Sequence, residues 1–199
     1  MMGKVLREAD LLGFDIPLRE ICGIDEAGRG PLAGPVCAAA VILPSDFPCG
    51  MLDDSKAMSP SRREKAYAAI TSAALDWAVG WATWEEIGRA NILRASLLAM
   101  KRAYDALSIE PRIVFVDGNR MPPLGRDAYP LIKGDSLLPS IMAASILAKV
   151  ARDRLMERLD RIEPEYGFAR HKGYPTKAHK EAIKKTGLSL WARPGFNVE

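Results

Sequence analysis

Two neighbouring acids, Asp25 and Glu26, close the apolar run that begins at Ile21 and lead into a bare stretch, AGRGPLAGP. Asp117 ends a second apolar run, RIVFVD over 112–117, and Gly118 follows it. Asp135 lies in KGDS at 133–136, after a short apolar stretch and before a long helical pattern. Carboxylates are the donors that hard ions such as Mg²⁺ and Mn²⁺ prefer. Two such ions side by side can activate a water against a phosphodiester and stabilise its leaving oxygen, with no protein nucleophile. Each acid also has an ordinary reading: a solvated charge at a strand end for Asp25 and Glu26, a helix N-cap for Asp135. Neighbours on a regular strand point to opposite faces, so sharing one site requires a bulge or twist at Asp25 and Glu26. The expectation is Asp25 as the central bridging ligand, with Glu26 reaching in from the side.

The residues around these acids suit a polyanion. Gly28, Gly30 and Gly34 leave the backbone open to close approach, and Arg29 between two of them suits a phosphate or a ribose. The segment is not a Walker loop, since no GK[ST] ends it, and its spacing is not that of a dinucleotide fingerprint. Lys56 in DSK at 54–56 reads as surface or as a phosphate contact. RHKGYPTKAH at 170–179 interleaves basic residues with an aromatic: Lys172 fits a backbone phosphate and Tyr174 a stacked sugar or base, against the plainer reading of a solvated loop. Ser145 and Lys149, in AASILAKVARD, face the site if their helix packs behind Asp135, although its small apolar stripe is simplest as core.

These residues need strands to end together and helices to back them. Strand character appears at 21–25, 35–43, 77–83, 112–117 and 130–133. A helix over about 60–75 opens with Ser59 as N-cap and Pro60 in its first turn. Leu93, Leu97, Met100, Tyr104 and Leu107 mark a second helix, and Ile141, Ala144, Ala148, Ala151, Leu155 and Leu159 a third. Pro175 opens a fourth, which ends near Gly187. The order predicts an α/β fold, a mixed sheet with helices packed on it.

The chain has 199 residues, 48% of them hydrophobic, which predicts one folded domain and excludes disorder throughout. The formal charge is only +3, but Lys149 to Lys185 carries 11 Lys/Arg against 6 Asp/Glu, a basic flank on a slightly acidic body. Cys22, Cys37 and Cys49 form no CxxC pair and, with two histidines in all, make a structural zinc site improbable. Cys22 and Cys37 read as buried thiols and Cys49 as a turn residue. No apolar run is long enough for a bilayer, and the first residues lack the apolar centre of a signal peptide, so the expected location is cytoplasmic with no membrane association.

Taken together, GIDEAGRGPLAGPV, DDSKAMSPSRRE, VFVDG, GDSLLPSIMAASILAKVARDRLM and YGFARHKGYPTKAH resemble the successive blocks of the bacterial ribonuclease HII family, type 2 ribonuclease H, from about Ile21 onward. The resemblance implies a ribonuclease H-like fold: a five-stranded mixed sheet flanked by helices, with a small helical C-terminal region. It implies a catalytic domain over 21–199 preceded by a 20-residue extension. The implied activity is cleavage of the RNA strand of RNA–DNA hybrids, and of duplex DNA on the 5′ side of a single embedded ribonucleotide, leaving 3′-hydroxyl and 5′-phosphate ends. That activity would serve ribonucleotide and primer removal. Asp25, Glu26, Asp117 and Asp135 match the catalytic carboxylates, which implies a Mn²⁺ or Mg²⁺ cofactor. Gly28, Arg29 and Gly30 match the loop that senses the ribose 2′-hydroxyl, and Tyr174 the tyrosine packed against the sugar 3′ of the cut. Lys56 and Ser145 match polar positions around the substrate. A monomer without an obligate protein partner is expected. The chain departs from the family at Ala57, where a second lysine is frequent, and in LSLWARPGFNVE, where many members have a His-Arg-Arg-Ser-Phe-like run. Twenty residues before Ile21 are too few for the extra domain of type HIII enzymes. Two other readings of the acids, a junction resolvase and an inactive nucleic-acid-binding protein, are disfavoured by the GRG and KGY segments and by the full set of acids.

Overall fold

The computed structural model describes residues 16–53, 55 and 57–196. Five strands form one mixed sheet: β1 (Ile21–Ala27), β2 (Val36–Ile42), β3 (Asp76–Ala82), β4 (Ile113–Asp117) and β5 (Ala128–Leu131), in the order β3-β2-β1-β4-β5. β1 pairs antiparallel with β2 and β2 with β3, whereas β4 lies parallel to β1 and β5 parallel to β4. β2, VCAAAVI, has no polar residue and is buried along its whole length, as a strand covered on both faces must be.

The helices are α1 (Pro60–Ala73), α2 (Trp84–Ala90), α3 (Ile92–Asp105), α4 (Pro139–Ile162), α5 (Phe168–His171) and α6 (Lys177–Thr186). Strand alternation sorts the core into two layers. Cys22, Ile24, Val36, Ala38, Val114 and Val116 meet α3 on one face. Cys37, Ala39, Val41 and Leu43 meet α1 and α4 on the other, through Ala66, Ile70, Ala143, Ala144 and Ala148. Behind the C-terminal half of α4, Met156, Leu159, Tyr166 and Phe168 form a separate small core. The five-stranded mixed sheet with a mostly helical C-terminal region is the fold class expected above.

Several boundaries differ from expectation for identifiable reasons. The fifth strand spans Ala128–Leu131, because Lys133 takes a left-handed backbone (φ 58°) and turns the chain out of the sheet. Asp135 therefore lies on a tight turn, Gly134–Ser136, and closes no strand. It caps no helix either: α4 begins at Pro139 behind Leu138, which contributes no side-chain cap. The last helix starts two residues after Pro175, with the Thr176 hydroxyl accepting from the His179 amide. The short α2 escapes periodicity, although Thr83 and Glu86 form its capping box. On α3 the deeply buried residues are Ala95, Ser96, Ala99, Met100 and Ala103, while Leu93 is exposed: small side chains, not the leucines, let that helix lie close to the sheet. The Ser59 cap of α1 is present as read, its hydroxyl accepting from the Arg62 amide.

Cys22 and Cys37 are buried free thiols and Cys49 is half-buried. Burial pushes the Cys22 thiol up to about 12, so it packs as a neutral apolar group. Among the described residues, no helix is long and apolar enough to cross a membrane. Of the 20-residue extension, residues 1–15 lie outside the described part; Ile16 packs against the cluster of Ile21, Ile113 and Phe115.

Candidate active site

The ladder between β1 and β2 is regular from Cys22–Ile42 through Ala27–Cys37, with no bulge at the acidic pair. Strict alternation therefore sends Asp25 toward α4 and Glu26 toward α3. In the parallel pair, Ile24 stands opposite Val116, so Asp117, one residue on, lies beside Asp25 on the α4 face. Asp135 arrives from the Gly134–Ser136 turn, whose position is held by a hydrogen bond from the Asp135 amide to Asp117 Oδ1 (3.2 Å). One carboxylate oxygen from each of Asp25, Asp117 and Asp135 lies within 4.8 Å of the others. Glu26 stands outside that trio. It faces Arg29, at 3.6 Å from its Nη1, and with Asp117 lines a cavity of about 50 Å³ on the α3 side.

The electrostatics of the trio fit a cation. Asp25 is 4% exposed, and burial, then the Glu26 and Asp117 charges, hold its carboxyl well above the usual carboxylate range. Its partners are the Glu26 amide (2.7 Å) and the Ser145 hydroxyl, neither of which neutralises a charge. Asp25 is the buried member and Asp117 and Asp135 are half-buried; carboxylates crowded in this way repel one another until a divalent ion sits among them, and all-oxygen donors suit Mg²⁺ or Mn²⁺.

Beside the trio opens a cavity of about 200 Å³, walled by Gly28, Gly30, Ser55, Ser145, Lys149 and Tyr174, together with Glu26 and Arg29. Tyr174 is 40% exposed, and its ring would meet a Cβ at Gly30 at 3.4 Å. Ser145 reaches this wall from α4, but its hydroxyl is already bonded to Asp25 and lies 2.9 Å from that of Ser55, so it braces the acid. Arg63 braces the same wall from α1, donating to the carbonyls of Ser55 (2.7 Å) and Met58 (2.8 Å). Lys56 falls outside the described residues. Lys172 does not join the cavity: its Nζ is committed to Glu157 on α4 (2.7 Å) and to the Ala169 carbonyl (2.7 Å). Its substrate contact is therefore not supported by position, because a nearby acid takes the ammonium first.

Two residues that sequence reasoning passed over hold the loop. Arg152, 1% exposed, donates to the carbonyls of Pro35 (3.0 Å), Ala33 (3.2 Å) and Lys172 (3.0 Å). Arg193, 3% exposed, donates to Gly28 (2.6 Å), Arg29 (2.9 Å), Gly34 (2.8 Å) and Pro35 (3.2 Å). Arg152 had a readable signal, since Ser145, Lys149, Arg152 and Met156 are spaced 4, 3 and 4 along one helix face. Arg193 had none. Gly28 sits at φ 98° with the Arg152 side chain where a Cβ would be, at 2.0 Å from Nε, so only glycine fits there.

The family profile described as ribonuclease HII matches residues 22–196. The chain is 52% identical to a ribonuclease HII of Shewanella baltica, covering 97% of this chain and 94% of that one. It is 55% identical to the ribonuclease HII of Laribacter hongkongensis, covering 89% and 91%. Among solved structures it resembles the ribonuclease H2 of Pyrococcus horikoshii (TM-score 0.72, 27% identity, 89% of this chain and 94% of that one). It also resembles the Archaeoglobus fulgidus ribonuclease HII determined in complex with PCNA (TM-score 0.74, 27% identity, covering 90% and 96%). With a matching profile across nearly the whole described chain and close curated relatives matched over more than nine-tenths of their own length, the chain belongs to the ribonuclease HII family.

Proposed function

We propose that this endoribonuclease, besides hydrolysing RNA in RNA–DNA hybrids, nicks duplex DNA on the 5′ side of a single ribonucleotide by two-metal-ion catalysis. Family membership carries the coarse activity, ribonuclease H action on RNA paired with DNA. The finer reading is supported above all by one juxtaposition: the Asp25, Asp117 and Asp135 trio adjoins a cavity walled by the bare loop at Gly28 to Gly30 and by Tyr174.

Asp25, Asp117 and Asp135, with Glu26 from the opposite face, would hold divalent ions, which supply an activated water and stabilisation of the leaving 3′ oxygen. The chain's own part is positioning. Asp25 is kept between Ser145 and the Glu26 amide, ready to meet positive charge. The loop offers main-chain groups to a 2′-hydroxyl, the feature that separates RNA from DNA without reference to base identity. Tyr174 offers a flat exposed ring for the neighbouring sugar; Lys149 on the same wall, like Lys172, has its ammonium held by an acid, Asp153, at 2.9 Å. The substrate is then ribonucleotide-containing duplex, the cofactor Mn²⁺ or Mg²⁺, and the setting the cytoplasm, during removal of ribonucleotides and primers from DNA.

The deciding assay cuts a DNA duplex with one embedded ribonucleotide, with and without divalent metal. We expect a single metal-dependent nick 5′ of the ribonucleotide, abolished by EDTA. Equal cutting of an all-DNA duplex would remove the 2′-hydroxyl argument. Tyr174→Ala is expected to lower kcat/KM at the single ribonucleotide by roughly tenfold or more, through lost stacking of about 1–3 kcal/mol. The loss on a long hybrid should be smaller, because many registers offer a site; equal losses would count against a role for Tyr174 at the junction.

A further inference from the structure

We infer that Arg193 is the positioning residue that aims the Arg29 and Gly30 amides into the cavity, so that the C-terminal segment sets the site's selectivity for ribonucleotides. The inference rests on the proposed reading of this loop as the sensor of the 2′-hydroxyl.

In a trans peptide the C=O and the following N–H point in opposite directions. Arg193 Nη2 holds the Gly28 carbonyl and Nη1 the Arg29 carbonyl. The next amides, those of Arg29 and Gly30, are thereby turned away from the guanidinium, and both residues line the cavity with Tyr174. One rigid planar fork thus sets the direction of two successive N–H groups. The same fork holds Gly34 and Pro35 through Nε and Nη2, which closes the loop across its base.

The segment bearing Arg193 is itself stitched to the loop. Ala192 bridges Ala33, the Gly34 amide donates to the Trp191 carbonyl (2.8 Å), and the Arg193 amide donates to the Leu32 carbonyl (2.9 Å). On the other side the Leu32 amide donates to the Gly173 carbonyl (2.8 Å), next to Tyr174. Among the described residues no carboxylate pairs with Arg193 or Arg152; the hydrogen bonds of each guanidinium go to backbone carbonyls, and that of Arg193 also lies over the Phe196 ring, 5.4 Å from its centroid. Burial, and then the nearby Arg152 charge, push the Arg193 pKa below that of an ordinary arginine. The C-terminal run that departs from the family pattern therefore supplies a buried arginine to the loop; that side chain makes no surface phosphate contact.

The test is the ratio of two dissociation constants, for an all-DNA duplex over the same duplex with one ribonucleotide, measured in Ca²⁺ with cutting checked to be negligible. Arg193→Ala should lower this ratio roughly tenfold while leaving the all-DNA affinity within about twofold. Arg193→Lys keeps the charge, but a single ammonium cannot span carbonyls on both sides of the loop, so it should fold and also lower the ratio. A purely structural arginine would reduce the active fraction, which shifts both constants together and leaves the ratio unchanged. A wild-type ratio in a folded Arg193→Lys protein would overturn the assignment alone. A ratio of one in the wild-type protein would overturn the 2′-hydroxyl reading, and the assignment with it.

Discussion

Replacing Asp25 or Asp117 by asparagine should abolish cleavage, by at least about a thousandfold in kcat, while duplex binding survives. The side chains are nearly isosteric, so the loop and Tyr174 stay in place; what is lost is charge at the trio whose oxygens lie within 4.8 Å of one another. Single-turnover cleavage in Mg²⁺ and in Mn²⁺, beside an affinity measurement, separates the two effects. Near-wild-type cleavage by either variant would sink the two-metal assignment.

The same substitution carries an opposite expectation for stability. The folded-state pKa of Asp25 is raised, by burial first and then by Glu26 and Asp117. A carboxyl that binds its proton more tightly in the folded state destabilises the fold above that pKa, and the penalty is relieved as pH falls through it. In EDTA at neutral pH, Asp25→Asn should therefore melt higher than wild type, and the difference should shrink on acidification. Divalent metal should stabilise wild type, by about 2.7 kcal/mol at a hundredfold excess over Kd, and leave Asp25→Asn nearly unmoved. A variant that melts lower than wild type in EDTA would contradict the account of a strained acidic cluster.

Gly23→Ala is expected to have the largest effect on the fold. A Cβ on Gly23 would lie 2.2 Å from the Ser140 carbonyl carbon and 2.3 Å from the Ile141 nitrogen. Both atoms belong to the backbone of the first turn of α4, so no rotamer change can relieve the clash. The helix would have to retreat by on the order of 1 Å, at about 3 kcal/mol of stability. The retreat reaches the site by two routes. α4 carries Ser145 against Asp25, and the turn that holds Asp135 runs straight into the start of α4. Misplacement on that scale should lower kcat about a hundredfold in the protein that still folds. Urea unfolding with kcat normalised to the folded fraction reads both terms; a midpoint matching wild type would show that α4 does not need the glycine.

Much of this architecture was legible in one dimension. Apolar runs ending in acid located β1 and β4 to within two residues, because a buried strand that terminates at a polar site changes composition abruptly there. Ser59 and Pro60 placed the start of α1 because a cap is a local interaction. The basic charge of the C-terminal third was legible as well, but not its use. Lys172 is held by Glu157, and Arg152 lies inside the protein on backbone carbonyls.

By itself the sequence determined the acids, the bare loop that follows Asp25 and Glu26, and the strand ends that carry Asp25, Glu26 and Asp117. Each depends on residue type and on neighbours a few positions away. Only the tertiary structure decided which acids meet. The parallel register of β1 on β4 put Asp117 beside Asp25, an unbulged ladder turned Glu26 to the other face, and the left-handed Lys133 delivered Asp135 on a turn. It likewise decided that Arg193, 165 positions from Gly28, sets the direction of the loop's peptides. Register and long-range hydrogen bonds join segments far apart in the chain, and no spacing within either segment encodes the distance between them.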